Sequence, residues 1–246
     1  MYNFSVRPRK SALTDQILAA QQLLIGNLEL EDSWDGCPLD AMDSEQLEEA
    51  RSLLIDACQK VVLLRCSVPM EDKERLQRFF QKARLLNAQA VRMECSGYTD
   101  FSRLLSDFTQ ASRTGQAYGI QVCFENSADS LLNSRESVEW FYQRLEYPAG
   151  WIFNPLEVVR TGHHPFFHVF YTTRLKNQIT VLRINDGLYQ TKAACLPGQG
   201  NGEVKEMASI LLARSFRGYF SFSQPASGSF TLEESLSVFK GMLKEL

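Results

Sequence analysis

The sequence predicts an α/β fold in which eight parallel strands alternate with helices and close into a (β/α)8 barrel. Strand-length apolar segments recur about every thirty residues, amphipathic helical segments lie between them, and no long insertion interrupts the series. The length of 246 residues is close to that of one such barrel. An open, doubly wound sheet of the same units is the alternative, but the even spacing favours closure. We therefore expect a single domain over residues 1–246.

The eight predicted strands are short runs rich in β-branched and aromatic residues. They are residues 3–6, 27–31, 61–67, 90–95, 119–126, 150–155, 179–186 and 218–225. Runs such as VVLLRCS at 61–67 have the length of a strand and are too short for a helix.

The segments between the strands carry apolar residues at helical spacing. The predicted helices are Leu13–Leu24, Ser44–Cys58, Asp72–Leu86, Phe101–Ser112, Ser134–Leu145, Phe166–Gln178, Val204–Ser215 and Leu232–Leu246. Thr231 precedes the last helix and Glu233 and Glu234 lie in its first turn, which is a pattern that favours a helix start. Linkers such as PGQGNG at 197–202 indicate loops rather than domain boundaries.

The composition excludes several classes of protein. Hydrophobic and charged contents of 44% and 22% are those of a globular chain, and no apolar run has the length of a membrane span. The net charge of -3 argues against nucleic acid or an anionic membrane as a partner. Six cysteines without a CxxC pair predict neither a disulfide framework nor a zinc site. Since the first residues also lack the apolar core of a secretory signal, we expect a cytoplasmic protein.

Polar and charged residues stand where the predicted strands end. In a barrel of this kind, the functional site lies at the C-terminal ends of the strands. The residues at these ends are Arg7, Glu29 or Glu31, Arg65, Glu94, Glu125, Asn154, Arg183 with Asp186, and Ser223. The sequence therefore predicts a polar mouth that holds a small polar or anionic ligand. Arg7, Arg65 and Arg92 could bind a phosphate or carboxylate, but pairing with Glu29, Glu31 and Glu94 is the favoured interpretation.

Five segments of the second half follow a known family pattern. They are CFEN at 123–126, WIFNPLEVVRTGHHP at 151–165, VLRIND at 181–186, LPGQGNGEV at 196–204 and GYFSFSQP at 218–225. In these segments the chain resembles the xylose isomerase-like TIM barrels, a superfamily of sugar phosphate isomerases and epimerases that also includes, more distantly, apurinic endonucleases. The first half agrees more loosely with the same pattern. The resemblance implies the same barrel fold and a site at its mouth.

The resemblance also implies where a metal would be bound, and this chain departs from the pattern there. In the family, Glu, Asp, His and Glu on four strands bind a divalent ion. The corresponding residues here are Glu125, Asn154, Arg183 and Ser223, so three of the four ligands are replaced, while Asp186 keeps the Asp of the His-x-x-Asp motif. Arginine has no lone pair for a metal and stays protonated. We therefore expect neither a metal nor another cofactor.

The resemblance implies a metal-independent relative of sugar isomerases and epimerases that binds a small polyol, sugar or sugar phosphate. Glu125 would be the base and Arg183 the electrophile or anion clamp. The predicted substrate-binding residues are Asn154, Glu157, Asp186, Ser223 and Arg65.

Several alternatives stay open at this stage. A Glu125–Arg183 salt bridge could be purely structural, and the barrel could be catalytically inactive and bind a ligand or a partner protein. For His163, His164 and His168 a loop or packing role is expected rather than metal binding. The GQGNGE loop at 198–203 could contact substrate, and a homo-oligomer is possible.

Overall fold

Eight parallel strands form a closed barrel in a computed structural model that describes residues 2–167, 174–223 and 230–246. The strands, β1 to β8, are Phe4–Arg7, Asn27–Leu30, Lys60–Cys66, Ala90–Met93, Gln121–Glu125, Ala149–Phe153, Ile179–Arg183 and Tyr219–Ser223. Each strand pairs with its neighbours in the chain, and β1 pairs with both β2 and β8. The predicted closed (β/α)8 barrel is therefore confirmed.

Helices cover the outside of the barrel. They are, from α1 to α8, Leu13–Gln22, Ser44–Asp56, Lys73–Leu85, Phe101–Ala117, Arg135–Tyr142, Pro155–Arg160, Val204–Ala213 and Leu232–Leu243. The side chains of Asp43, Ser134 and Thr231 each close a capping box at the start of α2, α5 and α8. Among the described residues, none of the helices combines the length and apolar character that a membrane-crossing segment requires.

The observed helices differ from the predicted ones in three places: α4 is longer, the predicted helix Phe166–Gln178 is described only in part, and α6 was not predicted. Helix α4 continues five residues beyond the predicted end at Ser112 and includes Gly115. A Cβ atom at Gly115 would lie 2.5 Å from Val122 Cγ2, so this glycine permits a close approach of α4 to β5. The predicted helix Phe166–Gln178 ends in a short 3-10 helix, Arg174–Gln178, and residues 168–173 lie outside the described part of the chain.

The interior of the barrel has an apolar lower layer and a polar upper layer. The lower layer consists of Leu63, Ala90, Cys123, Ile152 and Val181, all buried. Above it, the buried polar residues are Ser5, Glu29, Arg183 and Ser221. Burying a charged pair is costly unless its hydrogen bonds are satisfied. The hydrogen bonds of these four residues therefore decide whether the upper layer stabilises the barrel.

Candidate functional site

A cavity of about 660 Å³ lies at the C-terminal ends of strands β1 to β6. Its walls are formed by Arg7, Arg9, Lys10, Ser11, Glu31, Arg65, Arg92, Met93, Glu94, Glu125, Asn126, Ser127, Asn154 and Glu157. Four of the residues predicted to form the site, Arg65, Glu125, Asn154 and Glu157, are among them. Arg183, Asp186 and Ser223 are not part of this lining, and the structure gives each of them a different position.

Arg183 lies beneath the cavity, in the polar upper layer of the barrel interior. Its side chain is 1% exposed, and its guanidinium donates to Glu29, to the Ser221 hydroxyl and to both oxygens of Glu125. Burial lowers the pKa of Arg183. The nearby carboxylates of Glu125 and Glu29 have a larger, opposite effect and raise this pKa above its ordinary value. The sequence predicts Arg183 to contact substrate. In the structure it does not line the cavity, and its guanidinium holds the Glu125 carboxylate from below.

Glu125 forms the junction between this buried layer and the cavity. Its carboxylate accepts from Arg183 Nη2 at 3.1 Å, from Arg92 Nη1 at 2.7 Å and from Asn154 Nδ2 at 2.8 Å. Burial raises the pKa of Glu125, but the guanidinium groups of Arg183 and Arg92 outweigh it and hold the pKa well below its ordinary range. The Glu125 carboxylate on the floor of the cavity is therefore stabilised in its ionised form.

A second chain of ion pairs crosses the cavity wall. Arg7 pairs with Glu31, and Arg65 bridges Glu31 at 3.1 Å and Glu94 at 3.2 Å. Burial raises the pKa of Glu31, but hydrogen bonds from Arg7 and Arg65 outweigh this and lower it to about 2. The predicted pairing of arginines with glutamates is thus present for Arg7 and Arg65. Arg92 pairs with Glu125 instead of a glutamate of the first half.

Asn154 and Asn126 fasten the ends of β5 and β6 to each other. The Asn126 amide donates to the Asn154 carbonyl at 2.9 Å and accepts from the Asn154 N–H at 2.8 Å. While Asn154 Nδ2 donates to Glu125, the Oδ1 atom is buried and has no hydrogen-bond partner among the described residues. A buried unpaired acceptor is costly, so a ligand or water donor at this oxygen would be stabilising.

Glu157 and Ser223 occupy the edges of the strand ends. Glu157 accepts from the Ala128 N–H at 3.0 Å and from Arg160 at 2.6 Å, and it lines the cavity beside Asn154. The Ser223 hydroxyl accepts from Asn185 at 3.2 Å and is 6% exposed. Residues 224–229, which follow Ser223, lie outside the described part of the chain.

Asp186 anchors a loop rather than lining the predicted substrate site. One carboxylate oxygen accepts from the backbone N–H groups of Gly187 and Gly202 at 2.7 and 2.6 Å, and the other accepts from those of Gly198 and Gly200 at 2.8 and 3.1 Å. Burial raises the pKa of Asp186, and the four N–H donors oppose that shift. Because Asp186 is 0% exposed and three of its four donors lie in residues 198–202, it holds this loop in place.

Two cations that the sequence prediction missed stand at the rim of the cavity. Arg9 and Lys10 follow β1 directly, and Arg9 has a left-handed backbone with φ 50°. Both side chains are exposed, and neither forms an ion pair with any described residue. The motif RPRK at 7–10 was the signal that could have indicated them. Two cations at the rim of a cavity are placed to form charge-assisted hydrogen bonds with an anion.

The residues at the family's metal position do not fit a divalent ion. The Arg183 guanidinium occupies the space beside Glu125, and Asn154 directs its Nδ2 donor, not its oxygen, at that carboxylate. An ion there would face two donors and a fixed positive charge. Within residues 2–167, 174–223 and 230–246, no group of three His, Cys, Asp or Glu side chains could hold a metal. His163 and His164 lie in this part of the chain, and His168 lies outside it.

Comparison with known proteins adds the fold type. No family model matches the sequence, and no curated protein matches it. Solved structures do match. A xylose isomerase domain protein from Alicyclobacillus acidocaldarius has a TM-score of 0.76 at 14% identity, with 100% of this chain and 98% of that one covered.

Two further structures resemble the chain over nearly its whole length. A xylose isomerase-like TIM barrel protein from Mycobacterium smegmatis in complex with magnesium has a TM-score of 0.74 at 14% identity, covering 99% of this chain and 96% of that one. A D-tagatose 3-epimerase-like protein has a TM-score of 0.72 at 14% identity, covering 99% and 97%. The chain therefore has the xylose isomerase-like TIM barrel fold, and at these identities the likeness establishes the fold alone.

Proposed function

We propose that this protein binds a small anionic sugar derivative, a sugar phosphate, at the mouth of its barrel without a divalent metal. The observation that carries the proposal is the pair of unpaired cations, Arg9 and Lys10, above a cavity whose floor holds the buried free acceptor Asn154 Oδ1. The first feature suits a phosphate and the second suits a hydroxyl.

The charge of the mouth supports an anionic ligand. Five cations and four carboxylates line the cavity, although the chain as a whole has a net charge of -3. Burial and the neighbouring guanidinium groups of Arg92 and Arg183 lower the pKa of Arg7 to about 10. Such crowding of cations costs free energy that an anionic ligand would relieve.

The fixed geometry of the floor supports a polyol body on the ligand. Glu125, Asn154 and Glu157 present carboxylate and amide groups that are held by hydrogen bonds from the protein. Acceptors that are held in place lose little side-chain entropy when they bind hydroxyl groups. A sugar hydroxyl at Asn154 Oδ1 would also satisfy an acceptor that has no partner among the described residues.

The affinity for fructose 6-phosphate, measured by calorimetry in EDTA, tests this proposal. We expect the affinity to be the same with and without EDTA. In the Arg9→Gln/Lys10→Gln variant the affinity should fall at least about tenfold, because a charge-assisted hydrogen bond contributes about 1.5–3 kcal/mol. Fructose should bind more weakly than its phosphate. Arg51→Gln is the control, because Arg51 is exposed on α2 and pairs with Glu48 away from the mouth. Equal affinity of the rim variant and the wild type would contradict the proposal.

Isomerisation at the same site is the second candidate function. The position of Glu125 on the cavity floor, beside Asn154, favours it. However, a general base is most effective when its pKa is near the working pH. Arg183 and Arg92 lower the pKa of Glu125 far below that range, which makes its carboxylate a weak base. We therefore place ligand binding ahead of proton transfer.

Deuterium incorporation from D2O into the carbon-bound positions of fructose 6-phosphate separates the two functions. We expect no incorporation above the uncatalysed rate, with Glu125→Gln behaving like the wild type in this assay. Incorporation that the wild type catalyses and Glu125→Gln abolishes would identify Glu125 as a base and would favour the isomerase. Binding without exchange in either protein supports a catalytically inactive barrel.

A further inference from the structure

A second cavity, of about 510 Å³, opens at the opposite end of the barrel. It lies where β4, β5, β7 and β8 begin, so the whole lower layer of the barrel interior separates it from the mouth. Ala90, Cys123 and Val181, which belong to this lower layer, form its inner surface. Since Ala90 and Cys123 have small side chains, they leave space on the barrel axis that larger residues would fill. We call this space the basal cavity.

Apolar and aromatic side chains form one part of the walls of the basal cavity, and polar and charged side chains form the rest. Phe216 and Tyr219 supply aromatic rings to the lining, and Ile179 and Leu211 supply aliphatic side chains. The Tyr219 hydroxyl donates to Gln89 Oε1 at 2.8 Å, which fixes the ring at the entrance. A ligand that enters here would therefore contact rings and aliphatic side chains with its body.

The charged residues in the described lining of the basal cavity are all cations. Lys176, Arg214 and Arg217 line it, and no aspartate or glutamate belongs to its described lining. Arg214 donates to Asn177 Oδ1 at 3.2 Å, and neither Arg214 nor Arg217 forms an ion pair with a described residue. Partial burial and the nearby Arg214 lower the pKa of Lys176, which agrees with cations that lie close to one another. These cations together favour an anionic group at the rim.

We propose that the basal cavity binds a small organic anion with an aromatic ring, such as an aryl phosphate. The ring would lie between Phe216 and Tyr219, and the anionic group would contact Arg214 and Arg217 at the rim. This inference does not depend on the ligand of the mouth, because the two cavities share no residue. It gives the protein a second binding site at the end of the barrel that ordinarily serves stability.

Binding of phenyl phosphate, followed by 19F NMR on protein labelled with 3-fluorotyrosine, tests the proposal. The Tyr219 resonance is the one that is lost in Tyr219→Phe, and it reports on the basal cavity rather than the mouth. We expect phenyl phosphate to shift this resonance with a Kd below about 1 mM, and neutral benzyl alcohol to shift it much less. In Arg214→Gln/Arg217→Gln the Kd should rise at least about tenfold. Both arginines are exposed, so this variant should fold.

Two controls make the result decisive. The mouth variant Arg9→Gln/Lys10→Gln should leave the Kd for the Tyr219 shift unchanged. If the double arginine variant has a lowered Tm, Lys176→Gln, with an expected rise in Kd of at least about threefold, replaces it. The absence of a Tyr219 shift up to about 10 mM phenyl phosphate would overturn the proposal, as would equal affinity of the arginine variant and the wild type.

Discussion

Replacing Arg183 with methionine should lower the free energy of unfolding by about 3–5 kcal/mol, the range for breaking a buried ion pair. Methionine keeps much of the length of the side chain but removes the guanidinium. The Glu29 carboxylate, with a side chain 2% exposed, would then keep the Ser5 hydroxyl at 2.6 Å and lose its ion pair. Glu125 would lose one of its two guanidinium partners. The effect is large because the buried carboxylates lose the positive charge that compensates them, and not because packing is lost.

The pH dependence of this loss of stability follows from the direction in which folding shifts the pKa of Glu125. In the wild type the pKa of Glu125 is lowered on folding, so its stabilisation is present above the ordinary pKa of a glutamate and is lost as the pH falls through the folded value. Arg183 is the largest of the causes that lower this pKa, so in Arg183→Met the folded pKa of Glu125 should lie closer to its ordinary value. As the pH falls from about 7 to about 3, the variant should therefore lose less of this stabilisation than the wild type, and the difference in stability between the two should shrink.

Urea denaturation followed by tryptophan fluorescence at the two pH values measures both effects. Arg51→Met is the matched control, because Arg51 and Glu48 form an exposed pair at 3.3 Å on α2 and should contribute less than about 1 kcal/mol. Adding Glu29→Gln to Arg183→Met should recover part of the lost stability, since it removes one uncompensated charge. A loss no larger than that of Arg51→Met would show that the buried network is not a stabilising unit.

The barrel could be predicted because its signals are local. The strand Lys60–Cys66 contains the apolar run VVLL, and the longer helices have an apolar stripe in the segment that follows a strand. The boundaries deviate where tertiary packing decides, as at Gly115, whose role depends on its contact with Val122 across α4 and β5. The six-residue helix Pro155–Arg160 was missed, because it is too short to show a periodic pattern.

The candidate site could be predicted only in part, because strand ends indicate position along a strand and not depth in the barrel. Arg65, Glu125 and Asn154 line the cavity as their strand ends suggest. Arg183 pairs in register with Ser221, one layer lower, and the stagger between strands that sets this depth leaves no signal in the sequence. The unpaired state of Arg9 depends in the same way on which carboxylates other strands bring near it.

Replacing Asp186 with alanine should lower the free energy of unfolding by about 3 kcal/mol or more. The four backbone N–H groups of residues 187, 198, 200 and 202 would lose their acceptor. An unsatisfied buried donor costs about 1–3 kcal/mol, and partial opening of the loop to water limits the total. Residues 198–202 should therefore also exchange their amide hydrogens faster, and to a greater extent than the barrel strands. Hydrogen exchange measured by mass spectrometry detects this local change.

Gly202→Ala tests the contact between Asp186 and residues 198–202 through a change in the loop itself. A Cβ atom at position 202 would lie 2.6 Å from Asp186 Oδ1, a contact that the short, fully hydrogen-bonded carboxylate has no room to avoid. We expect a loss of about 2 kcal/mol or more, with faster exchange in the same loop. Gly241→Ala is the control, because nothing lies within 4 Å of its Cβ position in α8 and alanine should stabilise that helix by up to about 1 kcal/mol. If Gly202→Ala were as well tolerated as Gly241→Ala, the loop would not be held closely against Asp186.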